Sequence, residues 1–143
     1  MLFRSTRAVT LVVDAANVVG SVPDGWWRDR AGAAERLLRR LVATLPCTLV
    51  LPGGYGWVRR CVVVLEGRAS AAPDVPGVDV VRAPGSGDDA VVQLARTEPD
   101  CVVVTADRGL RARLPAGATA PGPSAPGPSV VGPSALLARL APS

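Results

Sequence analysis

Four short apolar runs punctuate the chain: "AVTLVVDAAN" (8–17), "RCVVVLEG" (60–67), "VDVVRAPG" (78–85) and "DCVVVTADRG" (100–109). Each is rich in valine and ends in polar residues or glycine, the pattern of a strand covered on both faces. Between them the period lengthens. In "WWRDRAGAAERLLRRLVATL" (26–45), Ala33, Leu37, Leu38, Leu41 and Leu45 fall on one side and arginines on the other, so the spacing predicts a helix. Further helices are predicted over 87–97, 107–114 and 133–141, the last preceded by a short strand at Val130 and Val131. Residues 46–59 allow a short extra strand and a glycine-rich turn. The tandem "APGPSAPGPS" over 120–129 excludes a helix or central strand, so 115–129 reads as an inserted loop.

Strands alternating with helices predict one α/β domain over residues 1–143, with a parallel sheet, right-handed crossovers and helices on both faces. Ligands of such sheets bind at the carboxyl ends of the strands. Asp14 closes the first run, Glu66 the second, and Asp107 follows the fourth, while Asp88 and Asp89 open the helix after the third. All are expected at one edge of the sheet.

Each acid also has a local explanation. Ser86 and Asp89 have the spacing of a helix capping box, which taken alone is the favoured reading of "GSGDD". Asp107 can cap its own helix, and Glu66 can be a solvated strand end. Asp14, followed by Ala-Ala-Asn, has no predicted helix to cap. Together these carboxylates would repel one another unless a cation sat among them, and oxygen-only donors point to Mg²⁺ or Mn²⁺. That is chemistry suited to in-line displacement at a phosphate.

Composition narrows the field. The chain has no histidine, which excludes Ser-His-Asp and Cys-His catalysis and His-bearing zinc sites. Cys47, Cys61 and Cys101 are isolated within apolar stretches, so they read as buried reduced thiols, and no zinc, haem or flavin is expected. All 16 basic residues are arginine, as a GC-rich genome would produce, and the net charge of +4 permits an acidic polymer as partner without requiring one. The N-terminal apolar stretch is interrupted by Asp14 and Asn17, so neither a membrane span nor a signal peptide is expected, and the cytoplasm is the default location.

The segments "LVVDAANVVG", "VVVLEG", "GSGDDAVVQLA" and "VVVTADRGLRARL", in this order, resemble the NYN branch of the PIN-like nucleases, in particular its small bacterial YacP-like members. The resemblance runs from Ala8 to Leu114, and "VVGPSALLARL" is similar to the last strand and helix of such domains. It implies a three-layer α/β/α sandwich with a mostly parallel sheet of about five strands, an acidic pocket for Mg²⁺ or Mn²⁺, and hydrolysis of RNA to 3′-hydroxyl and 5′-phosphate ends. By position, Asp14, Asp107 and one or both of Asp88 and Asp89 would hold the metal. Asn17 would orient the Asp14 carboxylate or a phosphate, Thr105 would hydrogen-bond near the site, and Arg108 would meet a phosphate. Glu66 stands where many relatives carry aspartate.

Arg82 and Arg111 are further candidates for holding a single strand at the rim. Trp26 and Trp27 read first as a hydrophobic staple for the long helix and second as a stacking platform for bases. A homodimer is compatible with all of this. Two other classes stay open: a catalytically inactive PIN-like RNA-binding or regulatory module, and a metal-dependent nucleotide phosphohydrolase. Phosphotransfer through an aspartyl nucleophile is disfavoured by Ala16 two residues after Asp14 and by the absence of lysine.

Overall fold

The computed structural model describes residues 6–115 and 128–142. The apolar runs form a sheet with β1 (Thr6–Asp14) at its centre, parallel to β3 (Gly54–Leu65) on one side and to β5 (Cys101–Val104) on the other. Beyond β5 lies β6 (Ser129–Val131), also parallel. The other edge of β3 is shared. Its first half pairs antiparallel with β2 (Cys47–Leu51), and Val62–Leu65 pair in parallel with β4 (Asp79–Arg82).

Among the described residues the sheet has six strands, close to the five expected; it is mixed because β2 pairs antiparallel with β3, and the other pairings are parallel as expected. The difference lies in β3, which begins at Gly54, ahead of the apolar run at 60. Its first half alternates buried and exposed residues, as a hairpin covered on one face does, and Cys61–Leu65 are buried throughout. Gly56 permits that hairpin to close: a Cβ there would stand 2.7 Å from Leu51 Cδ1.

Apolar side chains pack into two clusters, one on each face. Leu11, Val13, Val63, Leu65, Val102 and Val104 meet Ala34, Leu37, Leu38 and Leu41 of α2 (Arg30–Thr44), with Leu136 of α5 (Pro133–Leu137). Val12, Val64 and Val103 meet Val91, Val92 and Ala95 of α3 (Asp88–Thr97) and Leu110 of α4 (Arg108–Arg113). Alternate residues of each central strand thus feed opposite clusters, each side chain worth roughly 1.5–3 kcal/mol when fully buried. The three thiols are buried with them, and burial pushes Cys61 and Cys101 up to about 12, which keeps both protonated and inert.

Three expectations change. The predicted helix over 26–45 is interrupted: Trp26–Arg28 form a single 3-10 turn, and Asp29 then starts α2 by accepting a hydrogen bond from the Gly32 amide at 2.9 Å. The final helix stops at Leu137. A short helix, α1 (Ala15–Gly20), follows β1 directly, so Asp14 does have a helix to cap. The sequence "AANVVG" is too short to show a helical period. Residues 116–127 of the Pro/Gly-rich segment lie outside the described residues. Among the described residues, no helix is long and apolar enough to cross a membrane.

Candidate active site

Asp14 ends the central strand with only 6% of its surface exposed. Both carboxylate oxygens are engaged. Oδ2 accepts from the Thr105 hydroxyl at 3.0 Å, and Oδ1 accepts a longer bond from the Asn17 backbone amide at 3.4 Å. Thr105 follows β5, is fully buried, and accepts at Oγ1 from the Asp107 amide at 3.1 Å. Its hydroxyl thereby links the backbone of one candidate ligand to the carboxylate of another. Asn17 thus contacts the Asp14 carboxylate through its backbone amide, and its side-chain Oδ1 accepts from the Ala106 amide at 2.7 Å, bracing α1 against the segment carrying Asp107. Asp107 caps α4 by accepting from the Leu110 amide at 3.0 Å.

Glu66 leaves the end of β3 and its Oε2 accepts from the Gly87 amide at 3.0 Å. That contact sets where α3 begins. Ser86 is not the helix cap: Gly87 holds that position without a side-chain bond, and the Ser86 hydroxyl instead accepts from the Asp88 amide at 3.3 Å. The expected capping box between Ser86 and Asp89 does not form, because Ser86 lies one residue before the cap, its hydroxyl serves the Asp88 amide, and the Asp89 carboxylate is turned to Arg113.

Asp88 and Asp89 sit in the first turn of α3 but in different surroundings. Asp89 is exposed and ion-paired with Arg113 of α4. Asp88 is partly buried, and its carboxyl pKa is raised first by burial and then by the charges of Asp107 and Glu66, with Arg113 opposing and Asp89 adding. For Asp14, burial raises the pKa most, the Thr105 and Asn17 hydrogen bonds oppose it, and the charges of Asp88 and Glu66 raise it further. The charges of Asp88 and Glu66 thus act on Asp14, and those of Asp107 and Glu66 on Asp88, while Asp89 is turned to an arginine.

These four carboxylates match a hard divalent cation in kind, because they supply only oxygen, and for Asp14 and Asp88 burial and neighbouring acids outweigh the groups that favour the charged form. Among the described residues, however, no three such side chains are gathered closely enough to hold a metal ion as oriented. Repulsion between the acids is a physical reason for that spread.

The arginines divide similarly. Arg108 and Arg111 lie exposed on α4 beside Asp107. Arg82 stands apart: its guanidinium donates to the carbonyls of Ser70 and Ala72 and pairs with Asp74, clamping the segment after β3. Sequence reasoning missed Arg113, whose role depends on α3 and α4 meeting in space, and Arg30, which looked like one more solvated helix arginine.

Thr105→Val removes a donor from a buried carboxylate and an acceptor from the Asp107 amide together. A loss of about 1–3 kcal/mol is expected in urea unfolding at neutral pH. The loss should shrink in acid, where Asp14 is protonated; an equal loss at both pH values would mean the hydroxyl does not serve the charged form.

No family model matches this sequence, and no curated protein matches it. Among solved structures, the fold is similar to the crystal structure of Rae1 (YacP) from Bacillus subtilis, with a TM-score of 0.55 and 17% identity, over 90% of this chain and 72% of that one. At that identity the likeness is one of fold.

Proposed function

We propose that this chain is a metal-dependent ribonuclease of the PIN-like type, hydrolysing phosphodiester bonds of single-stranded RNA at the carboxyl edge of its sheet. The observation that carries this reading is the mutual influence of strand-end acids: Asp14 and Asp88, from distant parts of the chain, both have raised carboxyl pKa values with Glu66 among the causes. Groups that would otherwise destabilise one another are drawn to one edge, which is where a sheet of this kind presents its ligand site. The fold likeness to the YacP structure adds support, since it coincides with the family that the motifs resemble.

Asp14, Asp88 and Asp107 would hold Mg²⁺ or Mn²⁺, with Glu66 beside them. When bound, that cation supplies neutralisation of phosphoryl charge and activation of water. The protein's own part is positional. Thr105 holds the Asp14 carboxylate, Asn17 ties α1 to the Asp107 segment, and the exposed Arg108 and Arg111 would meet phosphates.

Labelled single-stranded RNA incubated with the protein is expected to be cut with Mn²⁺ or Mg²⁺ and left intact in EDTA. Failure to cut with either cation would overturn the nuclease reading. The open arrangement of the acids favours one alternative, an inactive RNA-binding module, which would retain the RNA uncut in Mn²⁺.

A further inference from the structure

We propose that the cavity beside the acidic pocket receives one unstacked nucleobase of the bound RNA strand, stacked against Trp26; this rests on the RNA-directed reading above. The cavity measures about 480 Å³ and is lined by Ala16, Val19, Trp26, Arg30, Glu66 and Pro84 among others. Its volume lies within the range of small-molecule sites, and mostly apolar walls with a few polar groups suit a planar heterocycle.

Trp26 belongs to neither apolar cluster, so it is not spent on the core as a staple would be. Its indole is nonetheless fixed. Trp27 meets it edge-on at 5.9 Å, and the Arg30 guanidinium carbon lies 5.2 Å from its ring centroid. A ring held in place loses little entropy on stacking, and every base offers a π-face to it.

Two polar groups argue for a nucleotide over a purely apolar ligand. Arg30 forms no ion pair among the described residues, so its charge, held over the Trp26 ring, has no anionic partner and suits a phosphate. Glu66 uses Oε2 on the Gly87 amide, and among the described residues its other oxygen has no hydrogen-bond partner, which leaves an acceptor for a base's N–H groups. An apolar occupant would cover the second Glu66 oxygen without offering it a donor. Glu66 also lines the cavity and contributes to the acidic pocket, so a base seated there belongs to a nucleotide next to the phosphate at the acids.

The test is binding in EDTA, where nothing is cut, using single-stranded RNA oligomers that carry the fluorescent base 2-aminopurine at each position in turn. Wild type is expected to bind and to quench at least one position. Trp26→Ala should lose that quenching and bind roughly 5- to 100-fold more weakly, while Trp26→Phe keeps most of the affinity. Ala16→Leu, which intrudes on the cavity and leaves the indole, should weaken binding and quenching in the same direction as Trp26→Ala; Trp57→Ala, in the β2–β3 hairpin, should behave like wild type. Absence of RNA binding by wild type, or unchanged binding and quenching in both Trp26→Ala and Ala16→Leu, overturns the proposal. Free 2-aminopurine riboside monophosphate should bind more weakly than the oligomer, and equal affinity overturns the assignment to a strand. A parallel Mn²⁺ cleavage assay separates the two readings. Cleavage with Trp26-independent binding removes the base pocket alone, whereas Trp26-dependent binding without cleavage removes the nuclease alone.

Discussion

Asp14→Asn is expected to abolish cleavage and, at neutral pH, to raise the melting temperature. The activity loss should exceed the roughly 100-fold upper range seen for changes outside the ligand shell of metal sites, because the substitution removes a ligand charge. The stability gain follows from the same burial. Asp14 has a folded-state pKa above its ordinary 3.8: burial raises it most, the Thr105 and Asn17 hydrogen bonds pull it back, and the charges of Asp88 and Glu66 push it up. An acid shifted in that direction costs nothing below its unfolded pKa, costs more as pH rises through the window between the two values, and carries the full cost above it. Asparagine keeps a side-chain acceptor for Thr105 and remains a good helix cap for α1 without the charge. The difference in melting temperature should therefore be largest near pH 7 and vanish towards pH 3.8. A variant that melts lower than wild type at neutral pH would show that the charge is compensated after all, and one that cuts RNA as wild type does would remove Asp14 from the mechanism.

The second large effect separates two neighbours. Asp88→Asn should lower cleavage by more than about 10-fold, since it takes one carboxylate from the shared pocket. Asp89→Asn should leave cleavage within a few-fold of wild type. It should shift stability by no more than about 1 kcal/mol, because its ion pair with Arg113 joins two well-exposed side chains, at 84% and 47%. Rates measured on the two variants side by side decide the matter. Equal losses would mean that both aspartates serve the site, and a larger loss for Asp89→Asn would reverse the assignment.

Much of this molecule is legible in one dimension. Valine-rich runs that end in polar residues identified β1, the second half of β3 and β5, because strands buried on both faces need continuous apolar sequence, and they also marked β4, an edge strand with no fully buried residue. What escaped were elements whose signal is weak at short range. The six residues of α1 span fewer than two turns, and the start of β3 lies among glycines that also fit a turn, while β2 falls where a short extra strand was allowed. The helix after residue 25 was visible in its leucines, but the break at Asp29 depends on one side chain capping one amide.

The candidate site divides along the same line. The sequence by itself determined which acids could meet, since a parallel sheet carries strand-end residues such as Asp14 and Asp107 to one edge whatever their separation. It could not determine which way each carboxylate faces. Asp88 and Asp89 are adjacent and chemically identical, and only the packing of α4 against α3 brings Arg113 to one of them and leaves the other beside Glu66 and Asp107. Likewise, a buried threonine spanning 91 residues to hold Asp14, and a glutamate placed to start α3, are long-range hydrogen bonds. Such bonds depend on distances set by the assembled sheet, and no local periodicity encodes them.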